Sequence, residues 1–224
     1  MFEGKYGKSL TIGLIIGIII IIGVIIFFTV DYIKNSTIRE EASNAVDRFE
    51  GEVQNKDTNT TQTNTTENVT LNIQVENIIT NTENNGENSG TKMYKGFPVV
   101  GTIQIPKINL EYPVLKDASK KAIEVSVAVN GGPGLNKVGN TIIIGHNYRN
   151  GTFFSNNKNL SNGDKVYITD EVGEKIAYTI YNIFTTAPED SDYMDRDTDE
   201  KREVTLVTCT DDTKSRLIIC ARED

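Results

Sequence analysis

One apolar run constrains this chain more than any other feature. The twenty residues from Thr11 to Val30 carry no charged side chain, and ten of them are isoleucine. At about 1.5 Å rise per residue, a helix of this length spans about 30 Å, the thickness of a bilayer's hydrocarbon core. Because the run is apolar on every side, it does not read as a core helix with one buried stripe. We therefore predict a membrane-spanning helix over residues 11–30.

A cleaved signal peptide is the main alternative for this run. Its apolar region would usually span about 7–15 residues and end at a small-residue cleavage site. Asp31, Tyr32, Ile33 and Lys34 follow the run instead, so we predict an uncleaved signal-anchor. Two basic residues lie on each side of the run, so the count of Lys and Arg does not decide which end of the helix is cytoplasmic. The short tail at residues 1–10 favours a cytoplasmic N-terminus and an extracellular C-terminal domain.

Residues 31–92 are predicted to form a juxtamembrane helix and then a linker. Apolar residues recur at helical spacing over Thr37–Val53. Over Gln54–Lys92, 20 of the 39 residues are Asn or Thr and none is aromatic, which is too little apolar surface for a packed core. An alternating run, Val69–Val75, leaves one short strand open. We expect a flexible spacer with few contacts to the C-terminal domain, so that a chain starting near Met93 folds alone.

Residues 93–224 are predicted to form one mainly β domain. Their 132 residues are a common domain size. Short β-rich runs alternate with turn signals, a pattern typical of a closed barrel or a sandwich, and short helices are predicted at Ala118–Ile123 and Thr152–Leu160. The eight predicted strands are Val100–Ile105, Leu110–Val114, Val125–Val129, Thr141–Ile144, Lys165–Thr169, Ile176–Phe184, Glu203–Thr208 and Arg216–Ala221.

Charge and residue counts exclude several classes of function. A net charge of -8 speaks against a nucleic-acid binder, which normally carries a basic patch. Two cysteines exclude a disulfide-stapled miniature scaffold and a four-cysteine zinc site. A single histidine excludes a histidine-rich metal centre.

Three residues could carry covalent chemistry. His146 comes just after the end of one apolar run, and Cys209 is the last residue of another, just before a polar turn. Arg216 comes seven residues after Cys209, so a hairpin loop between them would place the two opposite each other across the ladder. A nearby cation lowers a thiol's pKa from about 8.5. Together they would supply a nucleophile, a proton carrier and a cation for an oxyanion, although each alone is more often structural.

A family resemblance becomes specific at these residues. Thr205-Leu206-Val207-Thr208-Cys209 followed by Arg216 matches the TLxTC…R signature of sortases, the membrane-anchored cysteine transpeptidases of Gram-positive bacteria. Gly145-His146 at a strand end is similar to the sortase histidine. Gly101–Ile108 resembles the family's first strand, and Tyr112–Val114 resembles its second. The resemblance covers about 125 residues, and the anchor-plus-stalk layout agrees with it.

The resemblance implies an eight-stranded sortase-type β-barrel with short helices and a two-step acyl transfer. Cys209 would attack a Thr–Gly-type bond in an LPxTG-like sorting signal and form a thioacyl intermediate. An amine on a peptidoglycan precursor or a pilin lysine would resolve it, with His146 carrying the protons and Arg216 binding the oxyanion. Thr208 would help to position the substrate. The membrane is a partner through the N-terminal helix, and no nucleic acid is expected.

Subclass and cofactors are less determined. Residues 185–202 leave no room for the long helix of class B members, and the lid and second span of pilin-polymerising members are missing, so a class A or class D enzyme is favoured. The chemistry implies no metal or organic cofactor. The acidic run 189–203 holds eight carboxylates, but Glu200 stands where an EF-hand loop needs glycine. A weak Ca²⁺ site in this run therefore stays open beside a plain solvated loop.

Two other functions remain open. A stalked cell-surface cysteine peptidase would hydrolyse the same kind of bond, but papain-like enzymes place Cys before His, whereas His146 precedes Cys209 by 63 residues here. A non-catalytic surface-binding module would fit the anchor and linker, but it gives no reason for the three residues to match the motif.

Overall fold

The computed structural model describes residues 7–59 and 91–224. Most of the predicted linker, including the Val69–Val75 run, lies outside the described residues. A long helix, α1 (Gly7–Asn59), precedes nine strands, and a short helix, α2 (Lys120–Ile123), lies between the third and fourth. The strands are β1 (Met93–Tyr94), β2 (Phe97–Ile105), β3 (Leu110–Leu115), β4 (Val127–Gly131), β5 (Gly139–Ile144), β6 (Lys165–Asp170), β7 (Lys175–Thr186), β8 (Arg202–Cys209) and β9 (Arg216–Glu223).

Strands β2 to β9 close into an eight-stranded barrel. Their order is β2-β3-β4-β5-β8-β9-β7-β6, and antiparallel pairing of β6 with β2 closes the ring. The pairs β3–β4 and β5–β8 are parallel, and the others are antiparallel. Alternate side chains fill the interior, among them Ile103, Tyr112, Ile143, Ile168, Leu206 and Ile219. The predicted barrel is confirmed.

The eight predicted strands all appear, with ends shifted by a few residues. The largest shift is at β2, which begins at Phe97 instead of Val100, and β7 continues to Thr186 because it pairs with β9 as far as Arg216. No sequence pattern indicated β1, a two-residue strand that pairs with the start of β2. Predicted helix Ala118–Ile123 is shorter, because the Ser119 hydroxyl accepts a hydrogen bond from Ala122 N and caps it at Lys120.

The predicted helix over Thr152–Leu160 was wrong. Only a 3-10 turn, Asn157–Asn159, forms there. Phe153 has a φ of 49°, a left-handed backbone conformation that cannot continue a right-handed helix. The apolar residues of this segment pack into the barrel end instead of forming a helical stripe, and both Phe153 and Phe154 are buried.

The first half of α1 exposes its apolar side chains on every side. Its large apolar residues from Ile12 to Ile33 are all exposed, with Phe27 at 70%. Within residues 7–59 and 91–224, α1 is the one helix long and apolar enough to cross a membrane. It is a candidate membrane anchor that contains the predicted span.

The predicted juxtamembrane helix forms the second half of α1 and packs on the barrel, whereas most of the predicted spacer, Gln54–Lys92, lies outside the described residues. The buried apolar residues of this helix match the helical spacing predicted over Thr37–Val53, and they lie against β2 and β3. Glu50 also accepts hydrogen bonds from Thr102 (2.8 Å) and Thr169 (2.9 Å). Since each fully buried apolar side chain is worth about 1.5–3 kcal/mol, a chain starting at Met93 would lose substantial stabilisation. The stripe consists of Ala42, Ala45, Val46, Phe49 and Val53.

Candidate active site

The β8–β9 hairpin places Cys209 opposite Arg216. Cys209 ends β8, Arg216 begins β9, and the two are Cα partners in the antiparallel ladder. Directly opposed side chains project on the same face, with Cβ atoms about 4.5–5.5 Å apart. Both residues are half-buried, so the thiol and the guanidinium share a position that solvent can reach. The register predicted from the seven-residue spacing is confirmed.

Strand β5 brings His146 to the same edge of the barrel. It lies parallel to β8, with Ile144 paired to Val207, so the two strands end together. Gly145 N donates to Val207 O (3.2 Å), which extends the ladder by one residue and leaves His146 at the edge. A Cβ at position 145 would lie 2.9 Å from the Phe154 ring, so glycine is required before the histidine.

Thr208 lies just before the cysteine and faces inward. It is buried, and its hydroxyl donates to Gly145 O at 2.7 Å. This bond ties the strand that carries Cys209 to the residue before His146. Because the hydroxyl is engaged inside the protein, its visible role is to join the two strands, and the substrate contact stays a prediction.

A polar clamp joins the segments that follow His146 and Cys209. Asn147 Nδ2 donates both to Cys209 O (2.9 Å) and to Asp211 Oδ1 (2.9 Å). Lys158 Nζ donates to Asp211 Oδ2 (2.6 Å), and Arg149 donates to Asp211 O (3.0 Å). The hydrogen bond from Lys158 is the main cause that lowers the pKa of Asp211, so this carboxylate stays ionised. The clamp holds the histidine and cysteine segments in one relative position.

An aromatic ring covers the imidazole. Tyr148 stacks on His146 with ring centroids 4.8 Å apart and planes at 29°, and Phe153 meets the edge of Tyr148 at 5.7 Å. Burial lowers the pKa of His146, and the charge of Glu124 opposes that shift. The neutral imidazole is therefore favoured, and the ring is oriented by the stack.

Arg216 keeps most of its donors available. One of them contacts the neighbouring Ser215 O at 3.4 Å. In the part of the chain that the structure describes, no carboxylate forms an ion pair with this guanidinium. Its charge acts on nearby Tyr193, where it partly offsets the rise in pKa that burial causes. A substrate oxygen next to Cys209 could take up the free donors.

The acidic run 189–203 does not form one cluster. Glu203 is buried at 2% exposure and pairs with Arg196 (2.6 Å) and Arg222 (2.6 Å), and Tyr181 donates to it at 2.9 Å. One of the eight carboxylates is thus a structural ion pair inside the protein. Across residues 7–59 and 91–224, no group of three His, Cys, Asp or Glu side chains could hold a metal ion. The Ca²⁺ site considered for this run has no support in the structure.

Sequence reasoning missed the residues that support the three candidate groups. Asn147 and Tyr148 directly follow His146, and Asp211 comes two residues after Cys209. The sequence signal that could have identified them was their position, since these polar and aromatic side chains directly follow two predicted strands whose ends meet at one edge of the barrel. The missing knowledge was that β5 and β8 are neighbours, which only the topology provides.

Comparisons with known proteins agree with this geometry. A family model described as a sortase domain matches residues 103–224. Sortase A of Bacillus anthracis is 31% identical over 124 residues, covering 54% of this chain and 58% of the relative. Sortase A of Streptococcus agalactiae serotype III (strain NEM316) is 30% identical over 132 residues, covering 56% and 53%. The chain thus spans little more than half the length of these relatives.

Solved structures show the same fold. Sortase A from Corynebacterium diphtheriae superposes with a TM-score of 0.52 at 28% identity, covering 57% of this chain and 61% of that one. A sortase D5 transpeptidase from Clostridium perfringens gives 0.52 at 29% identity, covering 57% and 79%. Since a sortase domain matches more than half of the chain and its barrel edge carries the Cys, His and Arg of the motif, the protein belongs to the sortase family, a family of cysteine transpeptidases.

Proposed function

We propose that this chain is a cysteine transpeptidase with Cys209 as nucleophile, His146 as proton carrier and Arg216 as oxyanion donor. The observation that carries the proposal is the meeting of these three side chains at one edge of the barrel. The parallel pairing of β5 with β8 and the Asn147 clamp fix the edge, so the groups are pre-organised for reaction. Membership in the family supports the same roles.

The proposed first step forms a thioacyl enzyme. The thiol proton of Cys209 passes to His146, and the thiolate attacks the carbonyl carbon of a Thr–Gly-type bond in an LPxTG-like sorting signal. The C–S bond forms while the C–N bond breaks. His146 returns its proton to the leaving amine, which departs as the C-terminal fragment.

The proposed second step transfers the acyl group to an amine. An amine on a peptidoglycan precursor or a pilin lysine attacks the thioester, loses a proton to His146 and expels the Cys209 thiolate. A solved Clostridium perfringens sortase C carries a C-terminal cell wall sorting motif, at 25% identity, a TM-score of 0.51 and coverage of 56% of this chain and 70% of that one. That structure supports a sorting signal as the substrate class.

Arg216 has a separate role in both steps. The carbonyl oxygen becomes negative in each tetrahedral intermediate, and a fixed guanidinium offers planar, always-charged donors to it. The position of Arg216 opposite the nucleophile supports this role. All three groups are protein side chains, and the proposed chemistry asks for no metal or organic cofactor.

We also propose the arrangement of the protein at the cell surface. The exposed apolar half of α1 supports a single-pass anchor over residues 11–30. The proposal places residues 1–10 in the cytoplasm and the catalytic domain, residues 93–224, outside. Within the family, the class A or class D assignment stays a prediction.

Peptide products test the proposed function. The purified chain is incubated with an LPxTG-type peptide library and varied amine acceptors, and mass spectrometry identifies the products. We expect amide products joined after the threonine, formed by the native chain and not by Cys209→Ala. Carboxylic acid products alone would indicate a hydrolase. No Cys209-dependent product with any peptide would indicate a non-catalytic binding module.

A further inference from the structure

Helix α1 meets the two ends of the barrel at different points along its length. Near its membrane end, Asn35 Oδ1 accepts a hydrogen bond from Asn150 Nδ2 at 3.0 Å. Near its far end, Val53 packs so closely on the turn between β6 and β7 that a Cβ at Gly173 would lie 2.4 Å from it. The helix therefore runs along the barrel from one end to the other.

The end that Asn35 contacts is the end that carries the candidate active site. Asn150 belongs to the segment 147–153, which follows His146 and contains the clamp to Cys209. The turn at Gly173 lies at the opposite end, because β7 begins there and reaches the Arg216 level only at its last residue, Thr186.

The distance from the predicted span to the active-site end is short. Asn35 comes five residues after Val30, which corresponds to about 7.5 Å along a helix. The contact with the barrel then extends from Asn35 to Val53, about 27 Å at the same rise. The active-site end is thus next to the span, and the opposite end is several turns farther along the helix.

The contact is built to keep this orientation. Asn35 is 7% exposed, and its amide also donates to Asp31 at 3.4 Å, so it is held on both sides. Farther along, Ser43 donates to Glu111 (2.9 Å), and the buried apolar stripe continues to Val53. A continuous helix with several points of contact restricts rotation of the barrel, whereas a flexible tether would not.

We infer that α1 holds the active-site end of the barrel toward the bilayer, so that the enzyme acts on an acyl donor or amine acceptor anchored in the same membrane. This inference rests on the proposed function for its chemistry but not for its geometry. A site held near the surface meets membrane-tethered partners at a high effective concentration, provided that the tether length matches the gap. The spacing between Val30 and Asn35 sets that gap.

Fluorescence quenching measures the orientation without any catalysis. Single cysteines are introduced by Lys214→Cys, in the active-site loop, and Val172→Cys, in the opposite turn, both exposed positions. The background is Cys209→Ala, and native Cys220 is 1% exposed and should not label. The full chain is labelled, placed in liposomes and quenched by a nitroxide on the lipid headgroups. We expect stronger quenching at position 214 than at 172. Equal quenching, or stronger quenching at 172, would overturn the inference.

A helical insertion then tests the consequence for activity. Seven Ala, Glu and Lys residues between Val30 and Asp31 would lift the barrel by about 10 Å and rotate it by only about 20°. The same insertion between Thr65 and Thr66, in the Asn/Thr-rich segment, is the matched control. We expect the first variant to lose at least about tenfold in transfer between liposome-anchored substrates and to keep its activity on soluble peptides.

The outcomes separate this inference from the proposed function. Unchanged transfer between anchored substrates in the Val30–Asp31 insertion variant would overturn the membrane-facing geometry, while activity on soluble peptides would still support the chemistry. If the native chain processes neither kind of substrate, the proposed function fails, whereas the quenching result still decides the orientation.

Discussion

The two cysteines of this chain lie on one hairpin and differ in exposure and in cross-strand partner. Cys209 ends β8 at the open edge of the barrel, half-buried and opposite Arg216. Cys220 lies inside β9, 1% exposed and opposite Thr205. Burial raises the pKa of the Cys220 thiol, so it stays protonated and inert. Position along the ladder, not residue type, decides which sulfur solvent can reach.

The same ladder keeps the two sulfurs apart. Cys220 pairs with Thr205, four residues from Cys209, which is about 13 Å at 3.3 Å per residue. A disulfide needs Cα atoms within about 7 Å, and both cysteines are free in the structure. The register of the hairpin therefore rules out a bridge between these two sulfurs.

The contrast between the two cysteines predicts the largest loss of activity when Cys209 is removed. We expect Cys209→Ala to abolish formation of transfer products, because the chain's other thiol, Cys220, is buried and cannot form the thioester. Product formation from an LPxTG-type peptide is measured by mass spectrometry. Circular dichroism should show an unchanged fold. Near-normal turnover in this variant would remove the basis of the mechanism.

The next largest loss of activity is expected when Arg216, the cation opposite Cys209, is replaced. We expect Arg216→Lys to lower kcat/KM by about 10²–10³-fold, because a lysine keeps the charge but loses the planar fork that binds an oxyanion. Lys214→Ala, an exposed residue in the same loop, is the matched control and should be close to the native enzyme. Equal rates for Arg216→Lys and the native chain would show that charge alone suffices.

Removing the hydrogen bond from Asn147 should affect the position of Cys209 and leave Cys220 unchanged. We expect Asn147→Ala to reduce transfer by roughly tenfold to a hundredfold, since the segment after His146 would no longer be tied to Cys209 O. Alkylation rates of the two thiols provide a second readout, with Cys209 changed and Cys220 still protected. If both thiols became reactive, general unfolding rather than loss of positioning would be the cause.

The pKa of His146, at the same barrel edge as Cys209, can be changed by removing one nearby charge. Burial lowers the pKa of His146 and the charge of Glu124 partly opposes that shift, so Glu124→Gln should move the imidazole titration to still lower pH. The acid limb of the pH–rate profile should move in the same direction. The chain has one histidine, so a single imidazole signal in an NMR titration reports the change. A shift to higher pH would contradict the assigned surroundings.

The smallest effect is expected at the buried cysteine. Cys220→Ala leaves a small void beside Ile142, Val207 and Ile218, and we expect a loss of about 1 kcal/mol in the free energy of unfolding. Thermal denaturation measures this loss, and transfer activity should remain native. A large drop in activity would place Cys220 in the chemistry and end the contrast between the two sulfurs.

Much of the barrel and its edge could be predicted because local patterns determine them. Strand runs and the seven-residue spacing fixed the Cys209–Arg216 register, and the same register pairs Glu203 with Arg222, a pair that sequence reasoning overlooked. The parallel pairing of β5 with β8 could not be read from the residues, because it joins strands that are distant in sequence. The hydrogen bond from Asn147 to Cys209 O depends on that pairing and was missed with it.

The helix α1 shows the other limit of sequence reasoning. The sequence pattern predicted the helical stripe over Thr37–Val53. An amphipathic pattern shows that one face of a helix is buried, but it does not identify the surface that covers this face. Polar partners far along the chain, such as Glu111 for Ser43, identify the barrel as that surface. The packing of this helix on the barrel could not be predicted for this reason.

Trapping the acyl intermediate tests the central claim most directly. The native chain is mixed with an LPxTG-type peptide in the absence of an amine acceptor, quenched in acid, and examined by intact-mass and peptide-mapping mass spectrometry. The account predicts a mass increase equal to the acyl fragment through threonine, located on Cys209, with Cys220 unmodified. An adduct on another residue, or peptide cleavage in which Cys209 is never acylated even at the earliest times, would contradict it.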